Sequence, residues 1–380
     1  MNIPITKPSF TSAEEERLLK VLRSGWVTQG PEVELFEEAV AKFVGSKHAV
    51  AVSSCTTALH LALLAASVES GDEVICPSYS FIATANVIRY CNAKPVFIDI
   101  EKKTYNLNPE LLEKTITPRT KAIIAVHQVG LAADMDSILK IANSRGIKVI
   151  EDAACAIGAE YKGQKIGKPH GFLACFSFHP RKIITAGEGG MVTTNDSTVA
   201  ARLKKLRHHG MSVTDLVRHK AKSVILEEYD ELGYNYRMTD LQAALGIIQL
   251  GRLPELLRQR TKIAERYNEV FSEIEYLIPP FVPPGIKHTY QSYLLRLKPN
   301  APLSRDELMQ QLLERGIATR RGIMASHKEP LYAKEHGRIP LPETETAVKE
   351  TIILPLFPQM KTEEQEFVIS NIKELVSQPA

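Results

Sequence analysis

Short apolar runs alternate with helix-like stretches along the first half of the chain. Residues 57–64 and 81–90 have the apolar spacing of helices, and each lies between two of the apolar runs. This alternation predicts an α/β fold, in which helices cover both faces of a largely parallel sheet. In that architecture ligands bind beyond the carboxyl ends of the strands. The predicted strands are 49–54, 73–76, 94–100, 121–126, 147–151 and 172–178.

The pattern changes after Met191, where helical periodicity dominates. We expect a helix over 199–210, another over 240–250, and a separate one over 253–271 that tolerates Pro254 in its first turn. Several prolines between 279 and 284 mark a break, and a smaller α+β unit follows. Its predicted elements are a strand over 293–297, a helix over 305–315, an apolar segment over 351–355 and a helix over 362–377. We therefore predict a large domain over 1–250, with an N-terminal arm and helix in 1–45, and a small domain over 251–380.

Composition and charge argue against several classes of protein. The 380 residues are 44% hydrophobic and 24% charged, and the formal net charge is +3, all ordinary values for a globular chain. The chain has no long run of like charges and no run of about 18 apolar residues, so we expect neither nucleic-acid nor membrane binding. The first residues lack the apolar core of a signal peptide, which favours a cytoplasmic protein. The five cysteines include no CxxC pair, and no HExxH motif occurs, which predicts reduced thiols and no metal.

One lysine stands out between a buried strand and a glycine-rich turn. Lys182 lies in the string FSFHPRKIITAGEGGMV, over 176–192, where desolvation at the sheet edge is expected to lower its pKa and activate the amine. Asp152 ends another apolar strand, and a buried carboxylate needs a cationic partner. A pyridoxal phosphate enzyme needs such a pair, a lysine for the Schiff base and an acid for the pyridine nitrogen. Taken singly, Lys182 also fits a surface lysine and Asp152 a helix cap.

Other polar residues suit a phosphate. The turn over 53–58 joins a strand to a helix start, and its hydroxyls, Thr56 among them, form a potential anion site, although simple helix capping explains them equally well. Phe81 opens a helix above the same edge, where its ring is able to stack on a cofactor or to be plain core. Asn235 and Arg237 precede a helix start at Thr239, and capping does not explain them.

Five segments carry a family resemblance. Residues 24–39, 53–63, 151–159, 176–195 and 232–246 resemble the DegT/DnrJ/EryC1/StrS family of sugar-nucleotide aminotransferases, which have the aspartate aminotransferase fold (type I) of pyridoxal phosphate enzymes. The resemblance implies that Lys182 carries the internal aldimine and that Asp152 pairs with the pyridinium nitrogen. It further implies phosphate contacts from Thr56, Thr57 and Ser177, and a position against the ring for Phe81. Asn235 would reach the phosphate from the partner subunit of a homodimer with shared active sites.

The same resemblance places Trp26 and Thr28 near the sugar nucleotide, while Arg237 and His327 are polar candidates for substrate contact. Cys155 stands where the family commonly has an amide or imidazole that contacts the phenolic oxygen of the cofactor. Cys55 replaces a frequent glycine in the phosphate turn, and Ala186 replaces a frequent threonine. None of these departures touches the lysine chemistry.

The expected activity is transfer of an amine from an amino acid, glutamate by family analogy, to a keto-sugar nucleotide in deoxyamino sugar and glycan biosynthesis, such as that of lipopolysaccharide or O-antigen. One alternative is a sugar dehydratase of the same family, although those enzymes carry histidine at the position of Lys182. A second is a fold-type-I enzyme that acts on free amino acids. A third is a regulatory protein, which would predict loss of Lys182 or Asp152, or an added DNA-binding module; neither is seen.

Overall fold

A mixed seven-stranded sheet organises the larger part of the molecule. The structure is a computed structural model and describes residues 1–213, 218–219 and 221–377. The strand order is β1-β9-β8-β5-β4-β2-β3, and every strand is parallel to the others except β9, which is antiparallel to both of its neighbours. The strands are β1 (His48–Val52), β2 (Glu73–Pro77), β3 (Lys94–Ile98), β4 (Thr120–Val126), β5 (Lys148–Asp152), β8 (Leu173–Ser177) and β9 (Gly190–Thr194). This confirms the predicted, mostly parallel sheet, and it brings the carboxyl ends of β1, β5 and β8 to one edge.

Helices cover both faces of this sheet. Successive residues of β1 alternate between two cores: Ala49 and Ala51 face one, and Val50 and Val52 face the other. A sheet that is buried on both sides explains why its strands read as continuous apolar runs. The first core includes α2 (Pro31–Val44), α5 (Leu112–Thr115) and α6 (Met135–Ser144), and the second includes α3 (Cys55–Ala65), α4 (Ala83–Tyr90) and α7 (Ser197–Leu206). Helix α1 (Ser12–Ser24) packs against the long helix over Asp240–Phe271.

A four-stranded antiparallel sheet, in the order β10-β12-β14-β13, forms the core of the C-terminal unit. Its central strands pack against aromatic side chains such as Tyr267 and Phe271. The strands are β10 (Leu277–Ile278), β12 (Tyr293–Leu297), β13 (Arg320–Arg321) and β14 (Thr351–Leu354), and the helices are α9 (Arg305–Glu314), α10 (Pro330–His336), α11 (Pro342–Glu350) and α12 (Thr362–Ser377). A small third sheet joins β6 (Glu160–Tyr161), β7 (Gln164–Lys165) and β11 (Ile286–Lys287).

One long helix, α8 (Asp240–Phe271), replaces the two separate helices predicted over 240–250 and 253–271. Pro254 lies inside it, at a cost of about 3 kcal/mol for the lost hydrogen bond and the ring clash. Packing offsets this cost, because Leu253 and Leu256 are buried in the first core of the large sheet and Tyr267 in the core of the C-terminal unit. The helix thus runs through the predicted boundary at 250/251, and the division into 1–250 and 251–380 stays a prediction. No helix in the described part of the chain is long and apolar enough to cross a membrane.

Candidate active site

Lys182 and Asp152 lie close together at the edge of the large sheet where its parallel strands end. Asp152 is the last residue of β5, and Lys182 follows β8, the parallel neighbour of β5. Asp152 as a residue is only 6% exposed. Its Oδ1 accepts a hydrogen bond from the Ala154 N–H at 3.2 Å, and its Oδ2 accepts one from Thr84 Oγ1 at 3.0 Å. Lys182 Nζ donates to the sulfur of Cys155 at 3.2 Å.

The electrostatics of Asp152 fit a cationic ligand. Burial raises the pKa of this carboxyl, against the hydrogen bonds from Ala154 and Thr84 and the charge of Lys182, which lower it. Both hydrogen-bond donors are neutral, so the charged form stays undercompensated. A protonated ring nitrogen beside Asp152 would supply the missing positive charge.

Lys182 does not show the lowered pKa that the sequence led us to expect. Burial lowers the pKa of its amine, but Cys155, Cys55 and Asp152 together outweigh burial, so that the pKa lies above its ordinary value. The prediction was wrong because it counted desolvation and left out the acidic neighbours.

The turn after β1 contains a helix cap and backbone N–H groups that could hold an anion. Ser54 is the N-cap of α3 and accepts from the Thr57 N–H at 3.1 Å, while the Thr57 hydroxyl donates to the Ser54 carbonyl at 2.8 Å. Thr57 thus takes part in capping the helix, as the alternative to an anion site predicted. The N–H groups of Cys55 and Thr56 lie in the first turn, where a helix offers them no acceptor. They and the Thr56 hydroxyl are the donors best placed for a phosphate.

The glycine-rich turn over 187–190 packs closely against the turn over 53–58. A Cβ on Gly190, the first residue of β9, would lie 2.3 Å from the Ser54 carbonyl oxygen, so only glycine lets the two backbones approach. Gly187 adopts a φ of +80°, which also favours glycine. Both uses of glycine were expected from the sequence.

We predict that Gly190→Ala weakens binding of pyridoxal phosphate by at least about tenfold and destabilises the fold by about 2 kcal/mol, because backbone atoms must move apart. Fluorescence titration and urea unfolding would measure both effects. Gly251→Ala is the matched control: its Cβ meets nothing within 4 Å on the exposed side of α8. That substitution should stabilise the protein by about 0.5–1 kcal/mol, and equal effects of the two would contradict the role of Gly190.

Phe81 and Ser177 flank the same edge. The Phe81 ring is 65% exposed, and its carbonyl accepts from the N–H of Thr84, the residue that holds Asp152. An aromatic ring in this position is free to lie against a planar ligand above Asp152. Ser177 ends β8, is nearly buried, and accepts from the His179 N–H at 3.4 Å through its hydroxyl oxygen. Its hydroxyl proton is left for another acceptor.

The extended segment around Asn235 faces outward. Tyr234 and Tyr236 stack on each other with ring centres 4.9 Å apart, and both contact His60. The Tyr236 carbonyl accepts from the Ser53 N–H at 2.8 Å, which fastens the segment beside the phosphate turn. Since side chains alternate along an extended chain, Asn235 lies on the other side and is exposed.

Trp26 and Thr28 lie beside the start of α8, and Arg237 lies three residues before that helix. The Asp240 N–H donates to the Thr28 carbonyl at 3.0 Å, and the Asp240 carboxylate accepts from the Gly30 N–H at 2.7 Å. The Trp26 indole N–H donates to the Gln29 carbonyl at 3.1 Å, which holds the ring over this turn. Arg237 precedes Asp240 closely, and one of its guanidinium nitrogens, Nη1, is buried without a hydrogen-bond partner among the described residues.

His327 lies inside the protein. Its side chain has no exposed surface, and its Nδ1 lies 2.6 Å from Ser78 Oγ, just beyond β2. The His327 N–H also donates to Ser78 Oγ at 3.1 Å. In this arrangement His327 anchors a loop of the C-terminal unit to the sheet edge, and a direct substrate contact would require that loop to move.

Sequence reasoning missed the residues behind Asp152. Thr84 bonds to both Asp152 and Ser80, the latter at 2.8 Å. The sequence could have indicated this role, since Thr84 begins the buried face of α4 and a polar side chain on such a face needs a hydrogen-bond partner.

Sequence reasoning also missed His127, which follows β4 and contacts Glu151 at 3.1 Å. Burial raises the pKa of Glu151, but hydrogen bonds from His127 and His170 hold it at about 2.

Comparison with known proteins gives the site a context. The model of the DegT/DnrJ/EryC1/StrS aminotransferase family matches residues 8–373. The spore coat polysaccharide biosynthesis protein SpsC of Bacillus subtilis is 40% identical over 378 residues, which are 98% of this chain and 97% of that protein.

Solved structures agree over nearly the whole length. PseC of Helicobacter pylori, an aminotransferase involved in the biosynthesis of pseudoaminic acid, superposes with a TM-score of 0.92 at 29% identity, covering 99% of this chain and 100% of that one. Spr1654 of Streptococcus pneumoniae is described as a sugar aminotransferase; its PMP form matches with a TM-score of 0.92 at 29% identity, and its PLP form with 0.91 at 28%, each covering 99% of both chains. The fold is that of type I pyridoxal phosphate aminotransferases.

Proposed function

Because the chain belongs to the DegT/DnrJ/EryC1/StrS aminotransferase family, we propose that it moves an amino group from glutamate to a keto-sugar carried on a nucleoside diphosphate. At the coarser level it is a sugar aminotransferase, and its cofactor is pyridoxal phosphate. The observation that carries the proposal is the placement of the Lys182 amine and the buried carboxylate of Asp152 at the ends of two neighbouring parallel strands, with Cys155 in contact with the amine.

The described residues fit this cofactor. Asp152 would accept a hydrogen bond from the protonated ring nitrogen, and the first turn of α3 with Ser177 would hold the phosphate. Phe81 would cover the ring, and Cys155 would lie toward its phenolic side. When bound, pyridoxal phosphate supplies a ring that accepts electron density from the carbon that loses its proton.

Lys182 moves protons at Nζ. An amine at the end of a flexible side chain, held beside the reacting carbon, is able to accept a proton from one carbon and return it to another. Asp152 keeps its charge during this transfer and so holds the opposing positive charge in place. Trp26, Thr28 and Arg237 would then contact the sugar nucleotide, with His327 as the anchor of the neighbouring loop.

The sugar class is supported by the relatives. SpsC takes part in spore coat polysaccharide biosynthesis, and PseC in that of pseudoaminic acid. A spore coat polysaccharide in one case and pseudoaminic acid in the other support an amino sugar as the product of this chain. The free guanidinium nitrogen of Arg237 suits a phosphate or carboxylate of such a substrate.

The test is an assay of glutamate-dependent amine transfer against a panel of nucleotide-linked 3-keto- and 4-keto-sugars. Turnover of at least one sugar, with release of 2-oxoglutarate, is the expected result. Turnover of glutamate with a simple keto acid and with no sugar would instead favour the enzyme of free amino acids. Loss of water from the sugar without amine transfer would favour the dehydratase, and no turnover of any kind would favour the regulatory protein.

The site would be completed in a homodimer. Asn235 is exposed beside the phosphate turn, where a second subunit is able to receive it. The segment leading to it exposes apolar side chains: Val224 is 90% exposed, Leu226 86% and Leu232 81%. Apolar exposure on this scale in one segment is typical of a surface that another chain covers.

We predict that Lys182→Ala and Asn235→Asp complement each other. If Asn235 acts on the partner's site, a mixed dimer contains one site with both changes and one with neither. Equal co-expression with separate tags should then restore about a quarter of the wild-type rate, although each variant alone is nearly inactive. No recovery in a confirmed mixed dimer would show that Asn235 serves its own subunit.

A further inference from the structure

The Cys155 thiol and the Lys182 amine are in direct contact. The two atoms lie 3.2 Å apart, and the amine donates its hydrogen bond to the sulfur. A covalent sulfur–nitrogen bond is about half that length, so a small movement of the lysine end would bring the atoms to bonding distance.

The backbones on both sides hold this contact in place. The Lys182 N–H donates to the His179 carbonyl at 2.8 Å, and the next residue, Ile183, is buried. The Cys155 carbonyl accepts from Thr289 Oγ1 at 3.2 Å. Of the five cysteines, Cys155 alone is partly exposed and the other four are buried. An oxidant from solvent therefore reaches this thiol first.

We propose that Cys155 and Lys182 are a modification site at which hydrogen peroxide links sulfur to nitrogen in a sulfenamide bond. The Cys155 sulfur attacks peroxide and the O–O bond breaks. The leaving hydroxide takes the proton that the sulfur and the Lys182 amine share, so that sulfenic acid forms, one water is released and the amine is left neutral. The Lys182 lone pair then attacks the sulfur, the S–OH bond breaks, and a second water leaves with the proton from nitrogen. The sulfur loses two electrons, peroxide gains them, and the protein loses two hydrogen atoms.

The link would be reversible. A small thiol attacks the sulfur and frees the amine, and a second thiol releases Cys155 and leaves as a disulfide. While the bond lasts, Nζ is unable to hold pyridoxal phosphate and Cys155 is protected from irreversible oxidation. The effect on cofactor loading rests on the proposed function, but the bond itself does not.

The experiment treats the cofactor-free protein with hydrogen peroxide and follows intact mass and tryptic peptides. The expected results are a mass lower by two hydrogen atoms, a peptide that joins Cys155 to Lys182, and no cleavage by trypsin after Lys182. Dithiothreitol should reverse all three. Prior saturation with pyridoxal phosphate should suppress the link, and cofactor loading after treatment should fall in proportion to the linked fraction.

Three variants separate the alternatives. Cys155→Ser should abolish the link and Cys55→Ser should keep it, whereas Lys182→Ala should leave a sulfenic acid on Cys155 that dimedone traps. A disulfide between Cys155 and Cys55, or the absence of any peptide joining Cys155 to Lys182, would overturn the proposal. Since the readout is a covalent mass, this result is independent of whether amine transfer to a sugar is found.

Discussion

Lys182→Ala should abolish both the visible absorbance band of the bound cofactor and amine transfer, with a rate loss of at least about 10⁴-fold. Two roles disappear together, because Nζ both holds the cofactor covalently and moves the proton between carbons. The fold should persist, since the one hydrogen bond that this side chain makes among the described residues is to the Cys155 sulfur. Spectra of the purified protein with added pyridoxal phosphate, steady-state rates and a thermal melt would measure the three effects.

Arg181→Ala is the matched control for this loss. Arg181 is the preceding residue and its side chain is exposed. Its backbone N–H donates to His179 Nδ1 at 3.2 Å and its carbonyl accepts from Gln291 Nε2 at 2.8 Å, and both bonds survive replacement of the side chain. This variant removes a cation next to the site without touching the proposed chemistry, and it should keep the band and most of the rate. A wild-type band in Lys182→Ala, or equal losses in both variants, would show that the cofactor is held elsewhere.

Most of the arrangement at the sheet edge could be predicted from the sequence. The strands are buried on both faces, so each reads as an apolar run with a clear end, and parallel strand ends meet at one edge. That logic alone predicts that Asp152, Lys182 and the Thr56 turn lie together. The fold and the cofactor are confirmed, whereas the roles of individual residues stay predictions.

The rest depends on contacts between residues distant in the chain. Local rules broke the helix at Pro254, but packing of α8 against both cores maintains it. The pKa of Lys182 depends on Cys155 and Cys55, which reach it only in the folded chain. His327 was predicted as a polar substrate contact or a surface residue. It is instead buried in contact with Ser78, which lies 249 positions away in the sequence. Periodicity contains no information on such pairs.

Asp152→Asn should separate stability from activity. The amide is unable to balance a protonated ring nitrogen, so amine transfer should fall by about 10³-fold. The cofactor-free protein should nevertheless become more stable at neutral pH, by about 1 kcal/mol, as is common when an unfavourable functional residue is replaced. The amide fits the site, because the Thr84 hydroxyl is able to turn, accept from Asn and donate to Ser80 Oγ at 2.8 Å.

The pH dependence of stability tests this explanation, since the pKa values of the neighbouring carboxyls of Asp152 and Glu151 are shifted in opposite directions. Burial raises the pKa of Asp152 in the folded state above its value in the unfolded state. Between these two pKa values the folded state binds more protons than the unfolded one, so wild-type stability falls as pH rises through this interval. The advantage of Asp152→Asn should therefore shrink as pH falls and vanish below the unfolded value of about 3.9.

Glu151→Gln is the contrasting variant. The pKa of Glu151 is held at about 2 by His127 and His170 against the effect of burial, so its contribution to stability is present at neutral pH and is lost as pH falls toward that value. This variant should destabilise the protein at pH 7, and its deficit should shrink in acid. Thermal melts of the cofactor-free proteins from about pH 2 to pH 8, a range that covers both transitions, would compare the two. Destabilisation by Asp152→Asn across the whole range would mean that the carboxylate is a structural group, not one kept at a cost for a cationic ligand.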